Sequence, residues 1–135
     1  MNDGVMPLIG RVLLSIIFLL SGTMKLMGWH MMAGMMASKG FPMASVMLAG
    51  AIIVEILGSL CVLLGFKARI AAFIMFLYLI PTTFVFHNFW AMQGAARLDN
   101  EMNFLKNLAI MGGLLMVSAY GPGRLSIDGE AAPSA

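Results

Sequence analysis

Five ionisable side chains lie within, or at the ends of, strongly apolar stretches of this chain. They are Arg11, Lys25, Glu55, His87 and Lys106. A charged side chain at the centre of a membrane helix costs about 2.5 to 3.5 kcal/mol on insertion scales. Such groups therefore pair with one another, line a polar cavity or relay protons. A carboxylate beside cations and a histidine can move a proton and bind an electron-rich oxygen.

Glu55 is the most demanding of these groups because it lies near the middle of its apolar segment, too deep to reach water. At about 1.5 Å per residue, Glu55 and Lys106 lie roughly 16 Å and 20 Å from the same end of their helices. We predict that the two form an ion pair or share a hydrogen-bond network. The alternative is an ion pair that only fixes the register of two helices.

Helical spacing places the polar and small residues on one face of each apolar segment. In the first segment the face is Arg11, Ser15, Phe18, Gly22 and Lys25. In the second it is Ala51, Glu55, Gly58, Val62 and Gly65. The third contributes Thr83 and His87, and the fourth Asn103, Lys106 and Asn107. Since lipid does not solvate such faces, we expect them to meet inside a bundle.

Most of this polarity lies in one half of the predicted bundle, which predicts a polar cavity there with Glu55 at its base. As catalytic residues we predict Glu55, Lys106 and His87; as substrate-binding residues, Lys25, Asn103, Asn107 and Arg11. Other roles stay open for four of them. Arg11 can extend to lipid headgroups, His87 can be solvated at the interface, and an asparagine pair can join helices.

Composition indicates what positions these groups. The chain has 135 residues, of which 61% are hydrophobic and 10% charged, with a mean hydropathy of +0.94. The apolar residues fall in four blocks of about twenty, the length that crosses a bilayer. The predicted spans are 7–27, 42–64, 70–89 and 101–120. We predict an all-α, antiparallel bundle of four transmembrane helices in one domain, 1–128, with a loose tail at 129–135.

The distribution of charge predicts the orientation of the bundle. With four spans, both termini share one side with the turn between the second and third spans. That side carries Lys67, Arg69 and Arg124, and the other carries Lys39 and Arg97. By the positive-inside rule, both termini are expected in the cytoplasm. Trp29 and Trp90 then fall at the opposite interface, where indoles prefer to lie.

Several classes of function are excluded or disfavoured. The single cysteine, Cys61, excludes an intrachain disulfide and a Cys-x-x-Cys redox pair. A net charge of +2 without a basic run predicts no nucleic-acid partner. The methionine-rich segment 30–36 could bind Cu(I) through thioethers, or lie in the membrane interface as an apolar segment. No haem, flavin or metal site is evident in the sequence.

The order of these residues resembles the DoxX family of bacterial four-helix membrane proteins. The resemblance rests on Arg11, Phe18, Gly22, Lys25, Phe41-Pro42, Glu55, Gly58, Leu64-Gly65, Arg69, His87, Phe89, Lys106, Gly112-Gly113 and the stretch from Gly121-Pro122-Gly123 to Asp128. The resemblance covers about Arg11 to Asp128. It implies a multi-pass protein of the bacterial inner membrane. Members are often labelled oxidoreductases, and relatives include the membrane subunit of a thiosulfate:quinone oxidoreductase.

Together, the residues and the resemblance predict a cavity for a quinone or a similar small oxidisable molecule. Lys106 and His87 would stabilise charge on its oxygens, and Glu55 would pass a proton. Lys25 would lie at the mouth of the cavity. The expected partners are the lipid bilayer, a redox subunit that supplies electrons, and a second copy of the chain. Two alternatives stay open: a non-catalytic anchor or assembly subunit, and a carrier of a small solute or of Cu(I).

Overall fold

A computed structural model describes residues 4–129 of the chain, and every regular element in that range is helical. The elements are α1 (Val5–Met27), α2 (Trp29–Ser38), α3 (Ala44–Leu64), α4 (Ala68–Phe86), a short 3-10 turn (Phe89–Ala91) and α5 (Gly94–Tyr120). Four of the helices are long and apolar enough to cross a membrane: α1, α3, α4 and α5. The predicted all-α class with four membrane spans is therefore confirmed.

Most helix ends lie within three residues of the predicted spans, and two differences are larger. The methionine-rich segment forms a separate ten-residue helix, α2, directly after α1. The last helix begins at Gly94, seven residues before the predicted start at Glu101, so its polar first turns extend the apolar span. Of the predicted loose tail at 129–135, only Gly129 falls within the described residues.

The two ends of the bundle are named here by the helices that join there. At the α3–α4 end, α3 turns into α4 through Gly65, which has a left-handed backbone with φ +68°. A short αL turn of this kind makes α3 and α4 antiparallel neighbours. At the opposite end, the α2 end, α1 bends into α2 at Gly28. Which of these ends faces the cytoplasm stays a prediction from charge.

Arg11 connects α1 to the α3–α4 end. Its guanidinium donates to the carbonyl oxygen of Leu63 at 2.7 Å, to that of Val62 at 3.3 Å and to that of Leu125. The carbonyls of Val62 and Leu63 belong to the last turn of α3, where helices have unsatisfied acceptors and partial negative charge. Arg11 is only 1% exposed. Fourteen residues, or about 21 Å of helix, separate Arg11 from Lys25, so Arg11 does not share the surroundings of Glu55, and its role in substrate binding stays a prediction.

The segment after α5 folds back over the same end. The carboxylate of Asp128 accepts hydrogen bonds from the backbone amides of Lys67 (3.0 Å) and Ala68 (3.1 Å), at the start of α4. An acidic group there satisfies the free amides and complements the helix dipole. The backbone amide of Asp128 in turn donates to the carbonyl of Gly65 at 2.9 Å. Arg11 and Asp128 thus cap two consecutive helices from distant parts of the chain.

The interface between α1 and α3 is polar as well as tight. The Ser15 hydroxyl donates to the backbone carbonyl of Ser59 at 3.1 Å. Further along, a Cβ built on Gly22 would lie 2.7 Å from a side-chain carbon of Ile56 and 3.3 Å from Cβ of Glu55. The glycine therefore allows α1 to approach α3 directly beside Glu55, as small residues do in membrane helix packing.

We predict that Gly65→Ala destabilises the fold. An added Cβ would overlap Ser126 and lie 2.8 Å from Nη1 of Arg11, in a left-handed backbone that costs a non-glycine residue about 1 to 2 kcal/mol. We expect a loss of about 2 kcal/mol or more in reversible unfolding in detergent. Gly112→Ala is the matched control, because its Cβ would meet nothing within 4 Å in helix α5. Equal stability of the two variants would contradict the prediction.

Candidate functional site

Glu55 is bound by side chains from two other helices. The ammonium Nζ of Lys25 in α1 donates to Oε1 of Glu55 at 2.9 Å and to Oε2 at 3.0 Å. The hydroxyl of Tyr78 in α4 donates to Oε1 at 2.7 Å. Glu55 itself is 3% exposed. We call these three residues the triad; it joins α1, α3 and α4 in the interior of the bundle.

The turn between α3 and α4 sets the depth of two triad members. Glu55 lies eleven residues before Phe66 and Tyr78 lies twelve residues after it, so an antiparallel pair of helices brings them to one level. Lys25 reaches this level from α1 because Gly22, one turn earlier on that helix, packs against Glu55. Side chains on a helix tilt toward its N-terminus, which directs the long Lys25 chain back toward Glu55.

The predicted ion pair between Glu55 and Lys106 is therefore wrong. Lys106 is exposed, and among residues 4–129 the ion-pair partner of Glu55 is Lys25. The buried face of α5 carries Met111 and Leu114, and Lys106 lies off that face. Counting residues along the helices gave a compatible depth for Lys106. It gave no information on how α5 is rotated about its axis.

Lys25 also differs from its predicted position at a cavity mouth. Its side chain is 19% exposed and points inward to the carboxylate. Its ammonium also donates to the hydroxyl of Ser21, one turn earlier on α1. Because Ser21 accepts this bond, the hydrogen of its own hydroxyl can be donated to a ligand.

A cavity of about 340 Å³ lies along the outer side of α1 and includes Lys25 of the triad in its lining. Its lining is mostly apolar, with Lys25 and Ser21 as the polar contributions: Ile17, Leu20, Ser21, Met24, Lys25, Met31 and Met32. We call this cavity the α1–α2 groove. Its volume lies in the lower part of the range of small-molecule pockets, about 300 to 1,000 Å³, which are likewise apolar with a few polar groups.

Two of the three remaining predicted site residues make contacts between helices away from the triad. The Asn107 amide donates to the hydroxyl of Thr83 at 3.0 Å, so it joins α5 to α4. Nδ1 of His87 lies 3.0 Å from Oδ1 of Asn100. Asn103 is half-buried. These residues do not line the α1–α2 groove. The sequence analysis predicted one polar cavity that contains them and has Glu55 at its base, whereas the cavity beside the triad is lined by other residues.

Tyr78 and Ser21 are site residues that the sequence analysis missed. A tyrosine in the middle of an apolar span carries a hydroxyl that needs a hydrogen-bond partner, so the sequence alone indicates that Tyr78 contacts a polar group. The matching distances of Glu55 and Tyr78 from the turn at Phe66 would have paired them. Ser21 precedes Lys25 by four residues, which places both on one face of α1.

Comparison with known proteins agrees with the architecture. The family model described as DoxX matches residues 6–88, which is more than half of the chain. This chain belongs to the DoxX family. It is 35% identical to the inner membrane protein YphA of Escherichia coli over 124 residues, 92% of this chain and 89% of that protein.

A second relative in the same organism is similar over almost the same length. The inner membrane protein YqjF of Escherichia coli is 36% identical over 121 residues, 90% of this chain and 88% of that protein. A more distant match is the ER-derived vesicles protein ERV29 of Saccharomyces cerevisiae, 32% identical over 77 residues, 57% of this chain and 25% of that protein. No solved structure matches the chain. With four apolar helices and these relatives, the chain is a multi-pass inner-membrane protein.

We predict that Lys25→Met destabilises the bundle and that Lys25→Met/Glu55→Gln is more stable than the single variant. Removing Lys25 leaves a buried carboxylate without its cation, which typically costs about 3 to 5 kcal/mol. Neutralising the carboxylate as well removes most of that cost. The measurement is a double-mutant cycle of unfolding in detergent.

Tyr120→Phe serves as a background control for this cycle, because Tyr120 is 53% exposed at the end of α5. It should change stability by less than about 0.5 kcal/mol. A cycle with no coupling between Lys25 and Glu55 would contradict the ion pair seen in the structure.

Proposed function

We propose that this protein binds a quinone, or a similar lipid-soluble oxidisable molecule, in the α1–α2 groove and acts as the membrane subunit of an oxidoreductase. The observation that carries the proposal is the contact between the groove and the triad. A groove lined by apolar side chains includes the ammonium of Lys25, which donates to the buried carboxylate of Glu55, and the phenol of Tyr78 donates to the same carboxylate.

The groove suits a molecule that is dissolved in the bilayer. Leu20 and Met24 are 61% and 70% exposed, so the groove is open to a ligand arriving from lipid. An apolar ring would lie against these side chains and those of Met31 and Met32. The hydroxyl of Ser21 and the ammonium of Lys25 would then donate hydrogen bonds to an oxygen of the ring.

Reduction of a quinone takes up two electrons and two protons. The triad supports the proton side of this reaction, because the Lys25 ammonium is an acid next to the groove and is held in place by Glu55. Donors fixed before the reaction stabilise the negative charge that develops on a substrate oxygen. The electrons would come from a redox partner subunit, which is the role that we propose for a partner protein.

A second candidate function follows from how completely Glu55 is bonded. Its two oxygens accept three hydrogen bonds from two helices, which is the arrangement of a structural ion pair. In this case the chain is a non-catalytic anchor or assembly subunit of a redox complex. The triad then serves only to fix the helices, and the groove binds no redox molecule.

We expect that wild-type protein in nanodiscs binds a short-chain ubiquinone analogue saturably. Leu20→Trp should weaken binding by about tenfold or more because the indole fills the groove. Ser21→Ala should weaken it up to about tenfold, the value of one hydrogen bond. Isothermal titration calorimetry measures both.

Leu13→Trp is the matched control for Leu20→Trp. Leu13 lies on the same helix with 66% exposure, outside the groove lining, so this variant should bind like wild type. Absence of saturable quinone binding by folded wild-type protein would overturn the redox proposal and leave the assembly function.

A further inference from the structure

Lys106 lies on the flank of α5 that faces α1. One contact fixes this orientation: a Cβ built on Gly113 would lie 3.1 Å from Cδ2 of Leu14. Lys106 precedes Gly113 by seven residues, about two helical turns, so both lie on the same face of α5. Ser21 follows Leu14 by seven residues on α1. Because α1 and α5 are antiparallel, both steps lead toward the α2 end, and Lys106 and Ser21 come to the same level.

Among residues 4–129, α1 packs extensively against α3 but touches α5 at only a few residues. Ser21 and Lys25 line the open α1–α2 groove, and Lys106 is exposed. We call the space between α1 and α5, from the contact of Leu14 with Gly113 to the α2 end, the opening between α1 and α5. The α1–α2 groove forms the α1 side of this opening, and Lys106 stands on its α5 side.

The charges around this opening are unequal. The ammonium of Lys25 is neutralised by Glu55 at 2.9 Å. Within residues 4–129, Lys106 is paired with no carboxylate and makes no hydrogen bond through its side chain. A cation inside a membrane span needs a partner, or it must reach water at a cost. The opening therefore presents one uncompensated positive charge beside an apolar surface.

We infer that the opening between α1 and α5 binds a single-chain amphiphilic anion, a long-chain carboxylate, whose charged group pairs with Lys106. Its alkyl chain lies along the exposed side chains of Leu20, Met24 and Met31 in the groove. Charge complementarity selects the anion, and the surrounding lipid supplies a molecule with an apolar body. The inference goes beyond quinone binding and stands on the position of Lys106, independently of any redox reaction.

The size of the groove favours one chain over two. At about 340 Å³ it is near the lower limit of small-molecule sites, and its apolar lining comes from one flank of α1 and two methionines of α2. A two-chain phospholipid would leave much of its surface outside such a groove. A single-chain carboxylate presents both features that the opening can recognise, one anionic group and one narrow apolar body.

The test is carried out on the full-length protein in phosphatidylcholine nanodiscs at about pH 9, where a carboxylate in a bilayer is ionised. The probes are a nitroxide-labelled C18 carboxylate and its methyl ester, which differ only in charge. Electron paramagnetic resonance measures the immobilised fraction of each. We expect wild-type protein to bind the carboxylate about tenfold more tightly than the ester, the value of one charge-assisted hydrogen bond.

Three variants make the test specific. Lys106→Gln should remove the preference for the carboxylate, and Lys106→Arg should keep it. Arg97→Gln, which removes an exposed cation from the first turn of the same helix, should also keep it. Thermal unfolding of each variant shows that it is folded, and rescue by arginine separates a lost charge from a lost fold.

Three results would overturn the inference. The first is equal binding of carboxylate and ester by wild-type protein, and the second is an unchanged preference in Lys106→Gln. The third is that phosphatidylglycerol displaces the labelled carboxylate more effectively than an unlabelled single-chain carboxylate does. Quinone titration of the same samples separates this inference from the redox proposal. If the wild-type protein does not bind quinone but still prefers the carboxylate to the ester, the redox proposal alone is overturned.

Discussion

The rest of the structure depends on the neutralisation of one buried carboxylate. Glu55 is 3% exposed in an apolar bundle, where an unpaired ion would cost several kcal/mol. Its charge is compensated by a lysine from α1 and its hydrogen-bonding capacity by a tyrosine from α4. Both bonds require particular rotations and depths of three helices. Apolar side chains alone would tolerate many arrangements, since lipid and protein interior attract them equally.

A second set of polar contacts fixes the α3–α4 end. Arg11 closes the last turn of α3, and Asp128 caps the first turn of α4. Helix α1 is therefore attached to α3 at two heights, by Arg11 at one end and by Lys25 about 21 Å further along. Two attachment points define both the register and the tilt of a helix, which one contact cannot do.

Helix α5 is attached differently. Arg69 donates to the carbonyls of Ser118 (3.3 Å) and Ala119 near its C-terminus, and Asn107 bonds Thr83 of α4. It meets α1 where Leu14 packs against Gly113. Since α5 takes no part in the triad, its flank toward α1 is free to diverge near the α2 end. The opening beside Lys106 follows from this, because the bonds of Glu55 join α1, α3 and α4 and leave α5 out.

Much of this arrangement could be predicted from the sequence. The stripe Arg11, Ser15, Phe18 and Gly22 is the buried set of α1, because a period of 3.6 residues and a contrast with lipid-facing leucines define it. On α3 the predicted face agrees with the buried set at Glu55 and Val62, but the buried set has Ile52 and Ser59 where Ala51 and Gly58 were predicted. Small apolar residues gave too weak a contrast to fix the rotation.

The partner of Glu55 could not be predicted by the same means. Depth is readable from residue counts, and both Lys25 and Lys106 have chains long enough to reach the level of Glu55. Choosing between them requires the rotation of α5, which depends on tertiary contacts such as that of Gly113 with Leu14. The deciding feature for Lys25 was the close approach at Gly22, and a glycine in a helix indicates such an approach only after its neighbour is known.

The way each polar residue is satisfied separates structure from chemistry in this protein. The guanidinium of Arg11 and the carboxylate of Asp128 bond backbone groups at helix ends. Lys25 is equally well bonded, yet it borders a groove open to lipid and shares a bond with a serine whose own hydrogen is available. Lys106 is exposed toward the same opening and has no partner among residues 4–129. Binding capacity is therefore concentrated on the facing flanks of α1 and α5, where hydrogen-bond donors remain after the fold has been satisfied.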